Sequence, residues 1–184
     1  MPTTFAVVAF PLLVFLTPQN SDRAVILVVS VLFGAVLPFL YLLLLLRRQR
    51  VTRLDVPVRE QRTIPYLVTV VIYFAGSVLL YVLGASVIVY ALMLCYATNT
   101  LVISAINTRW KISAHAMGAS GPLTALAVTF GWLVLPFFLI VPIVAWARVE
   151  LKAHTRAQVV AGAFLGIILT AVQVQALYKI AGAG

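Results

Sequence analysis

Charge is what this sequence of 184 residues has least of. Its 13 Lys/Arg and 4 Asp/Glu make up only 9% of the chain, where a soluble domain carries about 25%. With 64% of the residues hydrophobic, no soluble core of this size hides the apolar surface, because area does not fall fast enough with chain length. Disorder, a secreted disulfide scaffold and a cytosolic enzyme are excluded. Cysteine is equally scarce: the single Cys95 lies in an apolar run, so there is neither a disulfide framework nor a Cys-rich metal site. A net charge of +9 would suit nucleic acid. The basic residues, however, sit in short stretches between apolar runs, where membrane orientation and anionic headgroups account for them. What remains is an integral membrane protein.

Apolar runs long enough to cross about 30 Å of hydrocarbon, at about 1.5 Å per residue, predict the architecture. Residues 24–46 form an uncharged span. Residues 66–83 and 86–106 follow, joined by a tight turn at Gly84-Ala85. The run 116–146 is too long for one crossing, and Gly131 and Pro136 predict two short helices, about 116–132 and 134–148, folded as a hairpin. Residues 159–180 span once. Residues 5–16 contain Pro11 and have no Lys or Arg before them, unlike a signal peptide, and read as a short first membrane helix. The expectation is a single all-α integral membrane domain over 1–184, a polytopic bundle of six to seven transmembrane helices.

Alternation of sides puts 47–65, 107–115 and 147–158 on one face. That face carries Arg47, Arg48, Arg50, Arg53, Arg59, Arg62, Arg109, Lys111, Arg148, Lys152 and Arg156, against Arg23 and Lys179 on the other. Such an asymmetry predicts a multi-pass protein of the cell membrane with these loops in the cytoplasm. Both histidines, His115 and His154, share the basic face with Asp55, Glu60 and Glu150. Ionisable groups near membrane depth are costly and mark function. Lys111 stands four residues before His115, Arg148 six before His154, and Arg59 and Arg62 lead into Pro65. Together they predict an anion pocket, which the free N–H groups of helix N-termini also favour. The plainer reading of each residue alone is a wetted loop end or a snorkelling lysine.

These residues resemble the type 2 phosphatidic acid phosphatase superfamily of membrane lipid phosphatases, whose three blocks read K-x6-R-P, P-S-G-H and S-R-x5-H-x3-D. The first block here reads Asp55, six residues, Arg62, Thr63. The second reads Ile112-Ser113-Ala114-His115. The third reads Ala147-Arg148, five residues, His154, three residues, Gln158. The blocks lie at 55–65, 111–115 and 147–158, in the family's order. Departures fall on the first Lys, replaced by Asp55, on three small or Pro positions, and on the last Asp, replaced by Gln158.

The resemblance implies that His154 attacks phosphorus and becomes a phosphohistidine, splitting one displacement into two. His115 would protonate the leaving alkoxide and then activate water. Arg62 and Arg148 would clamp the phosphoryl oxygens, with the Ser113 hydroxyl and the Ala114 N–H adding donors. Lys111 or Arg59 would supply the missing positive charge. Gln158 orients His154 without charge, and Glu150 or Asp55 would stand in for the absent carboxylate. No metal and no cofactor are implied.

The substrate expected is a phospholipid phosphomonoester or a polyprenyl diphosphate, drawn from the surrounding membrane lipids. The same site allows a phosphotransferase, in which a lipid hydroxyl replaces water. A non-catalytic protein that binds or moves an anionic lipid is the alternative of a different class. Gln173 and Gln175 on the last run are expected to bond between helices or between subunits of a homo-oligomer, Asn99, Ser104 and Asn107 to bond between helices or line the pocket, and Gly162-x3-Gly166 to be a packing face.

Overall fold

The computed structural model describes residues 2–52, 56 and 58–182. Asp55 and Arg53 lie outside them. All regular structure among the described residues is helical: α1 (Pro2–Leu16), α2 (Arg23–Val31), α3 (Leu37–Arg47), α4 (Thr63–Val82), α5 (Val87–Asn107), α6 (Ala114–Phe130), α7 (Ile140–Glu150) and α8 (Arg156–Ile180). By length and composition five stretches suit a membrane crossing: Arg23–Arg47, Thr63–Val82, Val87–Asn107, Ala114–Glu150 and Arg156–Ile180.

The interruptions follow from local chemistry. Asp22 caps α2 by accepting the Ala24 N–H at 2.7 Å. Between α2 and α3 the chain widens into a π turn, Leu32–Val36, where the Leu37 N–H bonds back to Leu32. Pro38, which has no N–H to give the preceding turn, lies just beyond it. Gly84 (φ +72°) makes the expected turn between α4 and α5. Gly131 (φ +67°, ψ −143°) stops α6 in a conformation that only glycine adopts easily.

Beyond Gly131 the hairpin is not two equal helices. A nine-residue 3-10 stretch, Gly131–Leu139, carries the chain into α7. Its return is complete, since the residues after α7 lie against the start of α6. Helix α8 begins earlier than hydropathy indicates: Thr155 and Gln158 form a capping box that recruits Arg156, Ala157 and Gln158 into the first turn.

The loops sort to two ends. At one end Asn20 bonds Gly84 (3.3 Å) and the Ser86 N–H bonds the Gln19 side chain (2.8 Å). At the other, Arg59 donates to the Arg109 carbonyl (3.0 Å), Asn107 to the Arg59 carbonyl (3.1 Å), and Ser113 to the Gln158 carbonyl (3.2 Å). The three basic loops therefore meet.

Helix α5 is the axis of the core, with Ile88, Leu92, Met93 and Cys95 almost fully buried. The short α1 is set against it, and Phe10 stacks on Tyr96 at 5.9 Å. Helices α6 and α8 pack closely because Gly162 and Gly166 have no side chains. A Cβ at Gly162 would collide with the Ser113 carbonyl, and one at Gly166 with the Ser120 hydroxyl and the Met117 carbonyl. Outward faces of α4 and α8 expose Val71, Phe74, Phe164, Ile168 and Val172, the apolar exterior consistent with a membrane protein.

Candidate functional site

His154 is placed by a tight connection between α7 and α8. The Arg148 carbonyl accepts the N–H groups of both Ala153 (3.1 Å) and His154 (3.2 Å), and Lys152 takes a left-handed conformation (φ +52°) to close the turn. The imidazole is left only 6% exposed. Its Nδ1 lies 3.3 Å from the Lys111 carbonyl and 3.3 Å from Oε1 of Gln158.

The identity of that Gln158 atom is set by its second contact, the Thr155 backbone N–H at 3.1 Å. An N–H requires an acceptor, so the carboxamide oxygen, not the nitrogen, faces the ring. Both neighbours of Nδ1 are then acceptors. Nδ1 carries the proton, and Nε2 keeps its lone pair. Burial, reinforced by the nearby Arg62 charge, lowers the His154 pKa to about 4, while the Lys111 carbonyl and Gln158 oppose the shift. The ring is neutral at neutral pH.

Arg62 ends the 3-10 turn Arg59–Arg62 that leads into α4. It is 4% exposed. Its Nε donates to the Val56 carbonyl at 2.7 Å, which anchors the guanidinium beside His154 and Tyr66. Arg62, His154, His115 and Ala114 line a single cavity of about 120 Å³. His115 and Ala114 occupy the first turn of α6, where backbone N–H groups have no intrahelical acceptor.

The other anticipated residues take different places. Ser113 is fully buried and caps α6, accepting the Ala116 N–H at 3.4 Å. It does not line the cavity. Lys111 contributes its carbonyl to Nδ1 of His154 and a charge that lowers the ring's pKa. Arg59 braces the basic loops through its contacts with Arg109 and Asn107. Arg148 is half-buried in the last turn of α7 and closes the His154 turn through its backbone. Glu150 is exposed at the end of α7 and is not among the groups that shift His154. Gln158 occupies the position facing Nδ1.

Sequence reasoning missed the inner wall. Tyr66, Thr69 and Tyr73 on α4, Gly118 and Gly121 on α6, and Thr170 on α8 line the same cavity. The signal available was weak: each is a small or aromatic residue inside an apolar run, where packing alone explains it. Compared with known proteins, the chain matches no family model, no curated protein and no solved structure.

Proposed function

We propose that this chain is a membrane-embedded lipid phosphatase acting on a lipid phosphomonoester or pyrophosphate. The bundle crosses the membrane six times, counting α6 and its return through α7 separately, with α1 as a further short apolar helix. The basic loops face the cytoplasm. The observation that carries the reading is the shared cavity: two histidines and one anchored arginine at its mouth, apolar side chains behind them.

In the proposed reaction, Arg62 takes the phosphoryl oxygens, for which a guanidinium fork is well shaped, and the α6 N-terminus adds backbone donors. Nε2 of His154 attacks phosphorus as the bond to the leaving oxygen breaks. His115 gives that oxygen its proton, and the lipid alcohol, or for a diphosphate the lipid monophosphate, departs. A water then attacks the phosphohistidine, returning its proton to His115 and releasing inorganic phosphate. The neutral, singly oriented His154 ring suits the first step.

Phosphate release from phosphatidate and polyprenyl diphosphate, with His154→Ala as control, tests the reading. Acid-labile, base-stable phosphate on His154 supports it. Loss of neither activity nor label in His154→Ala overturns it. The neutral Gln158, in place of a carboxylate, favours a second reading, a protein that binds anionic lipid without hydrolysing it. Saturable phosphatidate binding with no phosphate release would establish that one.

A further inference from the structure

The phosphate end of the cavity accounts for only a few of its lining residues. The remainder run inward: Ile103 to Leu92 along α5, Ala114 to Pro122 along α6, and Pro65 to Tyr73 along α4. At about 1.5 Å per residue these walls are about 12–16 Å long, roughly half of a 30 Å hydrocarbon layer. They are mostly apolar, and at the inner end Tyr73, Leu92 and Cys95 are each no more than 3% exposed, so the space narrows.

Partway along, where α5 meets α8, the wall is polar and its groups pair with one another. Asn99 donates to the Thr170 hydroxyl at 3.0 Å and accepts from Gln173 at 3.0 Å, and Thr98 donates to the Gln173 carboxamide oxygen. The chain of bonds ties α5 to α8. Helix α6 closes on it at Gly121, where a Cβ would stand 3.1 Å from the Thr170 hydroxyl. The Asn99 carboxamide is engaged at both its oxygen and its nitrogen, so this stretch of wall asks nothing of a ligand. Displacing it would break buried hydrogen bonds at depth, which is costly.

We propose that the cavity is a slot for one hydrocarbon chain of an amphiphilic phosphate, and that its inner end, at Tyr73 and Leu92, sets the longest chain it accepts. The inference rests on the phosphatase reading for the identity of the headgroup. The mouth pairs Arg62 with a phosphate, and the walls below match an alkyl or prenyl tail. Inside a bilayer a tail gains little by exchanging lipid for protein. The slot therefore selects by length and by chain number rather than by affinity, and favours single-tailed substrates.

Dodecyl phosphate carrying a terminal diazirine, photolysed with the protein in phosphatidylcholine nanodiscs, tests the slot directly. Adducts are expected within 92–99 and at Gly121, and Gly118→Leu, which fills the slot midway, should abolish them. Adducts confined to outward residues such as Phe164 and Ile168, or deep adducts unchanged in Gly118→Leu, would overturn the slot. Hydrolysis of alkyl phosphates from hexyl to octadecyl tests the inner end. Turnover should hold constant and then drop by roughly tenfold or more, the scale of overpacking a filled site. Leu92→Ala should move the drop to a longer chain. Equal turnover of all lengths, or an unmoved drop, would overturn the assignment to Tyr73 and Leu92. Labelling needs no turnover, so deep adducts without phosphate release would sink the phosphatase reading and leave the slot standing.

Discussion

Gln158 presents its carboxamide oxygen to Nδ1 of His154 at 3.3 Å while the Thr155 N–H holds that same oxygen at 3.1 Å. One helix cap therefore decides which nitrogen of the imidazole is free. The arrangement keeps orientation and gives up charge: a carboxylate would stabilise the imidazolium, and a carboxamide does not.

Restoring the charge should change the pH dependence. Gln158→Glu retains the reach of the capping box and adds an anion beside the ring, which favours the protonated form. The acidic limb of phosphate release, expected near pH 4 from the His154 pKa of about 4, should move up by about one to three pH units. A profile of rate against pH for both proteins is the measurement, and coincident limbs would refute the role of Gln158.

Stability should also fall on acidification. The unfolded chain binds a proton at the ordinary His154 pKa of 6.5, whereas the folded chain resists until about 4. Protons thus stabilise the unfolded state first. The stability contributed by keeping His154 neutral is present above pH 6.5 and is lost progressively down to about pH 4, by at most about 3 kcal/mol. Thermal midpoints in detergent across that range should show this slope, and His154→Gln should flatten it.

Arg62→Lys should separate charge from geometry. The lysine keeps the positive charge but has neither the Nε bond to Val56 nor a two-pronged face for phosphate. A loss of about 10²–10³ in kcat/KM is expected, the scale of removing one preorganised donor from a charge-stabilising site. Glu150→Gln, at an exposed position, should leave phosphate release unchanged.

Gly166→Ala should destabilise more than a surface helix substitution. The added methyl meets the Ser120 hydroxyl and the Met117 carbonyl, and α6 and α8 must move apart. Overpacking of this kind costs about 1–3 kcal/mol. A lowered thermal midpoint is the expected outcome. Ala176→Gly, at an exposed position of the same helix, should cost no more than about 1 kcal/mol, the propensity difference.

Much of this molecule follows from sequence because lipid makes strict demands. Scarce charge and long apolar runs determine that the chain is helical, where the long apolar helices fall, and that the turns come at Gly84 and Gly131. The sorting of Arg, Lys and His into three loops determines that those loops share a face. None of this needs a contact map, since hydrocarbon tolerates neither an unpaired backbone nor an unaccompanied charge.

Tertiary structure decided the rest, because it depends on which atoms meet across helices. That the Arg148 carbonyl closes the His154 turn and that the Ser113 hydroxyl caps α6 could not be read from the chain. Asn99 and Thr170 lie 71 residues apart and become one patch of wall only when α5 meets α8. Gly162 and Gly166 show the same division. Their spacing announces a packing face, but only the close approach of α6 shows that the face holds the Ser113 cap, and with it the start of the α6 wall, in place.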